Sequence, residues 1–333
     1  MLASGVGSYP GADAEAYAER LRMVLSLLPD LPHVPELPGR GATASLTGRG
    51  LAVVSGLAAD LQPAGWRLTG ASASSGVDHR RARSLLAQDL DALEELSAGY
   101  TGAFKAQVCG PWTLAATVER PRGDKVLADH GARRELGEAL AEGVREHVAD
   151  LRRRLPDVDR IVVQVDEPAL AAVIEARVPT ASGYGRHRAV DLPEASAALE
   201  RVLGAVADSG AEPWVHACAA RTPWGLVRGA RAAGLSVDVS VLSAGDHDAL
   251  AEALEAGATV ALGVVPSVDP PVPTSDTGTV EAVARWLDML GLDPEEVGDR
   301  VVVTPACGLA GASVGWSRTA LERAARAARE LST

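Results

Sequence analysis

Short β-branched, apolar runs recur along this chain, and almost none is built to turn back as a hairpin; helical or irregular sequence follows each instead. The clearest pair lies near the middle. Leu136, Leu140, Val144, Val148, Leu151 and Leu155 hold a 3.6-residue period among charged neighbours, and Arg160-Ile161-Val162-Val163-Gln164-Val165 follows as a nearly unbroken apolar run. Such a run marks a strand covered on both faces, as in a parallel sheet. Strands are expected at 3–10, 31–37, 104–108, 160–165, 213–215, 235–241, 259–265 and 300–304, with helices at 17–28, 81–96, 133–155, 192–206, 224–233, 248–256, 280–290 and 318–331. Eight strand units in 333 residues favour an α/β protein folded as a single closed (β/α)8 TIM barrel over an open doubly wound sheet. Gly5-Val6-Gly7-Ser8 also lacks the third glycine and later acidic partner of a dinucleotide fingerprint, which weakens the open-sheet alternative.

Residues 39–80 break this rhythm. The stretch is rich in Gly, Ser, Ala and Thr with apolar islands at Leu51-Ala52-Val53-Val54 and Trp66-Arg67-Leu68. It reads as an excursion inserted after the second strand, such as a helix and a hairpin, lying over one end of the sheet. The barrel domain is then expected to span 1–333. Aromatic residues are only 3% of the chain, so the core must be aliphatic. The formal charge of -12, spread over helices, argues against a nucleic-acid surface. The N-terminus has neither a basic nor an apolar leader region, and no run is long enough to span a bilayer, so a cytoplasmic protein is expected. Three cysteines, Cys109, Cys218 and Cys307, are an odd and sparse set that suits metal or packing roles in a reducing compartment.

Two strand ends carry the sharpest chemistry. His216 and Cys218 lie two residues apart after Trp214-Val215, and Cys307 follows the run 300–304. The strand period of two points His216 and Cys218 to one face, and imidazole and thiolate are the preferred ligands of zinc. Cysteines at strand ends also serve simply as small buried hydrophobes. In a barrel, the C-terminal strand ends would gather Ser8, Glu36, Cys109, Asp166, Glu167, His216, Cys218 and Cys307 on one face, where such folds place their active sites. Trp112, Trp214 and Trp316 either wall that pocket or fill an aromatic-poor core, and Cys109 is expected to pack.

Taken in order, Gly5-Val6-Gly7-Ser8-Tyr9-Pro10, the Glu36 segment, Gly110-Pro111-Trp112-Thr113, Val165-Asp166-Glu167-Pro168-Ala169-Leu170, His216-Ala217-Cys218 and Cys307-Gly308-Leu309 resemble the cobalamin-independent methionine synthases, specifically their catalytic C-terminal barrel. The resemblance covers nearly the whole chain. It implies zinc held by His216, Cys218 and Cys307, through which these three act catalytically. It implies a homocysteine site in which Glu36 and Asp166 meet the amino group and the Ser8 segment meets the carboxylate, with Glu167 beside Asp166 grouped as substrate-binding. The implied reaction is zinc-dependent transfer of a methyl group to the homocysteine thiol. The partners are then a small thiol and a methyl donor, with no nucleic acid and no membrane.

Several positions depart from that family's pattern. Ser243 stands where many members carry a glutamate zinc ligand, and Asp246 or Asp248 would replace it only if the loop bends back. Ala172, Thr117 and Val268 or Asp269 occupy places where the family carries folate-site or proton-donating residues. The donor is accordingly expected to be a methylated folate or a methylated corrinoid. The alternatives to methyl transfer are transfer of another alkyl group to another small thiol, and a catalytically inactive barrel that binds zinc or a thiol.

Overall fold

The computed structural model describes residues 1–70, 75–272 and 277–332. Its nine strands are β1 (Leu2–Ala3), β2 (Ala59–Gln62), β3 (Gly65–Leu68), β4 (Ala103–Cys109), β5 (Arg160–Asp166), β6 (Glu212–Ala217), β7 (Gly234–Asp238), β8 (Thr259–Val265) and β9 (Val301–Pro305). Twelve α-helices alternate with them: α1 (Ala14–Leu27), α2 (Leu46–Val53), α3 (Val77–Leu96), α4 (Pro111–Thr117), α5 (His130–Arg154), α6 (Leu170–Ile174), α7 (Leu192–Asp208), α8 (Trp224–Gly229), α9 (Ala244–Glu255), α10 (Gly278–Met289), α11 (Pro294–Val297) and α12 (Val314–Glu330). Local chemistry sets the long helices. Asp129 caps α5 by accepting from the Ala132 N–H, and Arg152, Arg153 and Arg154 sit in its last turn, where cations complement the helix dipole.

Seven strands form one parallel, curled sheet in the order β1-β9-β8-β7-β6-β5-β4, and β2 and β3 pair antiparallel apart from it. The expected α/β alternation is present, but among the described residues the ladder is not a closed eight-stranded barrel. The expected second strand is the reason. Residues 31–37 lie between β1 and β4 and make only isolated parallel bridges, His33 to Lys105 and Ser8 to Glu36. Pro32 and Pro35 remove the N–H groups a continuous ladder needs. The expected first strand is likewise cut to Leu2–Ala3, because Gly7 takes a φ of +154°, and a side chain there would meet Gln107.

The excursion holds α2 and the β2–β3 hairpin; its residues 71–74 lie outside the described residues. Inside the curl, Leu31, Val162, Trp214, Ala261 and Val302 form an apolar cluster of their own. Two residues further along the strands the inward positions turn polar: Ser4, His33, Lys105, Gln164, His216, Ser236 and Thr304 are all buried. Trp214 fits because Gly234 faces it on the neighbouring strand, where a Cβ would come within 2.4 Å of the indole. The large apolar cluster lies between the outer sheet face and the helices. No helix among the described residues is long and apolar enough to cross a membrane.

Candidate active site

The C-terminal strand ends open on a cavity of about 160 Å³ lined by Ser8, Glu36, Asp166, His216, Cys218 and Cys307, with Pro38 and, from the excursion, Ala44 and Leu46 closing its apolar side. Asp166 is the last residue of β5, His216 is on β6, Cys218 follows β6 directly, and Cys307 lies two residues past the end of β9. Six of the seven zinc and substrate positions expected from sequence therefore share one small space.

His216, Cys218 and Cys307 offer ligand atoms within 4.8 Å of one another, the one such group among the described residues. His216 Nε2 lies 3.7 Å from Cys307 Sγ. Cys218 and Cys307 are paired sulfur to sulfur, with Cα atoms 5.9 Å apart; reduced, they offer two thiolates. The His216 tautomer follows from its surroundings. Nδ1 lies 3.2 Å from the Ser236 carbonyl and 3.0 Å from its hydroxyl. A carbonyl only accepts, so Nδ1 carries the proton and Nε2 presents a lone pair to the sulfurs. Burial, and then the charge of Lys105, push the His216 pKa down to about 3, so the imidazole is neutral and competent as a ligand at physiological pH. These three donors fit a soft divalent metal with a position left open.

Ser243, Asp246 and Asp248 do not join them. Ser243 caps α9, its hydroxyl and the Asp246 carboxylate being engaged with each other in a capping box; Asp248 lies on the same exposed helix.

Glu36 is only 7% exposed, so it is not a loop charge. Its Oε1 lies 3.2 Å from Arg49 Nε, and Arg49 shares Asp89 with Arg40 in a buried network. Asp166 accepts from Gln164 Nε2 at 2.7 Å. Burial, then the charge of Glu36, raise the Asp166 pKa well above the usual carboxylate range, opposed by Lys105 and the Gln164 bond. Lys105 is the buried cation beneath both carboxylates, its pKa lowered to about 7 by burial while Asp166 and Glu36 pull it up.

Glu167 stands apart from the cavity. Its carboxylate accepts from the Trp112 and Thr113 N–H groups at 2.8 Å each and from the Thr113 hydroxyl at 2.7 Å, so it holds the N-terminus of α4. Neighbouring residues at a strand end face opposite ways, and the period of two separates Asp166 inward from Glu167 outward. Cys109 packs against Gly50, with burial raising its thiol pKa. The tryptophans are not cavity walls: Trp112 and Trp214 are buried, and Trp316 donates to the Pro266 carbonyl. Lys105 and Gln164 were not among the site residues expected from sequence. Their signal is a polar residue at every second position of an apolar strand, as in Lys105-Ala106-Gln107 and Gln164-Val165-Asp166.

Residues 107–330 match the model of the "Cobalamin-independent synthase, Catalytic domain" family. Among solved structures, the chain is similar to a B12-independent methionine synthase from Shewanella sp. W3-18-1 in complex with selenomethionine, at a TM-score of 0.63 and 15% identity, over 100% of this chain and 98% of that one. It is more distantly similar to a 2,3-dimethylmalate lyase, at a TM-score of 0.41 and 13% identity, over 98% of this chain and 82% of that one. None of the curated proteins matches it. With the family model covering well over half of its length, the chain belongs to the cobalamin-independent methionine synthases, as a member of their catalytic-domain family.

Proposed function

We propose that this protein transfers a methyl group to the thiol of homocysteine or a close amino-acid analogue, with zinc held by His216, Cys218 and Cys307. The observation that carries the reading is that one small cavity joins this donor set to two buried carboxylates and Ser8. Held by His216, Cys218 and Cys307, zinc would supply the positive charge that lowers the pKa of the acceptor thiol. Ser236 fixes the His216 ring so that Nε2 faces the Cys307 sulfur. Asp166 and Glu36 receive the acceptor's ammonium group, and Ser8 donates to its carboxylate. Pro38, Ala44 and Leu46 exclude water from the apolar arm. In this reading the chain is one domain and the start of the excursion, at Ala44 and Leu46, covers its acceptor. The thiol proton passes to solvent before transfer; the S–C bond then forms as the donor–methyl bond breaks, the electron pair stays on the donor, and a proton from solvent completes the demethylated donor. The donor is read from the family as a methylated folate. Activity in the cytoplasm belongs to the same reading.

The test is elemental analysis of the reduced protein beside Cys218→Ser and Cys307→Ser. About one zinc per chain, lost in both variants, is the expected result. A wild-type protein that stays zinc-free after reconstitution overturns the proposal.

A further inference from the structure

Beneath the cavity lies a polar junction that the reaction does not use directly. Lys105 on β4 is 1% exposed. Its ammonium donates to the Val6 carbonyl at 3.0 Å and to Gln164 Oε1 at 2.9 Å. The Gln164 amide donates from Nε2 to the same Val6 carbonyl at 3.0 Å and to Asp166 Oδ1 at 2.7 Å. Neither Lys105 nor Gln164 lines the cavity, whereas Asp166 does.

The junction has one allowed arrangement. An ammonium has three donors and no acceptor, so the oxygen of Gln164 must face Lys105. The Gln164 nitrogen must then face Asp166 and Val6. Turning the amide over would set donor against donor at Lys105 and acceptor against acceptor at Asp166, breaking every bond it makes. Lys105 thereby fixes the amide, and the amide holds one oxygen of Asp166 as an acceptor, leaving the other lone pairs for a ligand. The positive charge under Asp166 opposes the tendency of burial to protonate it. Val6 ties the same junction to Gly7 and Ser8, so the groups reading the two ends of an amino acid rest on one support.

We propose that Lys105 and Gln164 are a positioning pair that holds Asp166 ready for the acceptor's amino group and so sets the preference for an amino-acid thiol over a simple thiol. This rests on the reading of the cavity as a homocysteine site. The experiment separates the two. Calorimetric binding of L-homocysteine is compared with that of 4-mercaptobutanoate, which keeps the thiol and carboxylate but lacks the amino group, on reduced protein equilibrated with zinc. Asp166→Asn sets the size of a complete loss of preference.

Lys105→Met and Gln164→Met are each expected to lower the homocysteine preference by about tenfold, with 4-mercaptobutanoate affinity unchanged. The double variant is expected to lose no more than either single one, because the two act in series. Equal wild-type affinity for both thiols would overturn the homocysteine reading itself. A wild-type preference that survives both single substitutions, or losses that add in the double variant, would overturn the positioning pair alone. If thermal melting shows that Lys105→Met does not fold, Gln164→Met decides by the same criterion, since it leaves the lysine in place.

Discussion

Ser8 keeps its place only because residue 308 has no side chain. A Cβ at Gly308 would come within 2.0 Å of the Ser8 hydroxyl and 3.2 Å of its Cβ. The hydroxyl can escape by rotating about one bond, which costs the fold little and turns the donor out of the cavity. Gly308→Ala is therefore expected to weaken homocysteine binding by about tenfold, with zinc content unchanged and little loss of thermal stability. A variant that binds homocysteine as the wild type does would show that Ser8 plays no part in recognition. That His216, Cys218 and Cys307 come together was legible at this scale because each stands at a strand end in a short pattern, His-x-Cys and Cys-Gly-Leu. Glu167 was not, because adjacency to Asp166 in one motif conceals that the two point in opposite directions. One aims at the cavity and the other at the start of α4.

Between elements, charge does what the missing strand cannot. The proline-containing segment at 31–37 has only isolated bridges to its neighbours, yet Glu36 has to hold its position at the cavity. Arg49 of α2 pins it, Asp89 of α3 pins Arg49, and Arg40 closes on Asp89 with two bonds at 2.8 and 2.6 Å. The excursion is thus more than a cover: its first helix and the helix after it form the support that strand pairing supplies elsewhere in the sheet. Asp89→Asn leaves two buried guanidinium groups without their shared carboxylate and is expected to cost about 3 kcal/mol in urea unfolding. It also frees Arg49 to neutralise Glu36, so homocysteine affinity falls with it. A cost below about 1 kcal/mol would mean that the network is solvated and does not support the segment. The excursion, its helix and its hairpin were readable from composition and apolar islands. The buttress was not, since its members are far apart in sequence and no periodicity joins Arg40, Arg49 and Asp89. The strands that the chain cuts short fail for reasons visible in the residues, namely the prolines at 32 and 35 and the glycine at 7.

For the molecule as a whole, burying polar groups inside a curled sheet gives its stability a definite pH dependence. His33 and His79 each accept a backbone N–H at Nδ1, from Gly5 at 3.3 Å and from Ala59 at 3.1 Å, so each is held neutral. Burial lowers the pKa of both, and lowers that of His147 to about 4. A histidine with a depressed folded pKa contributes stability that is complete above its unfolded value of 6.5 and is lost as the pH falls below it. Two carboxyls act oppositely. Burial raises Glu167 to about 7 despite its three hydrogen bonds, and raises Asp166 well above its ordinary range. Their contributions are complete below the unfolded carboxyl pKa and are lost as the pH rises through the folded one. His216, lowered to about 3, acts with the other histidines, so from about pH 5 to about pH 6.5 four imidazoles work against two carboxyls, each group being able to supply up to about 1.4 kcal/mol per pH unit. Stability is expected to rise modestly with pH across that window. Glu167→Gln removes one opposing carboxyl, so its absolute stability is lower, because an amide cannot accept all three bonds at the start of α4, but its rise with pH is steeper, by a factor of about one and a half. Urea midpoints at several pH values across the window measure both quantities. A variant whose slope equals that of the wild type would place the Glu167 titration outside the window and leave its carboxylate ionised against α4 throughout.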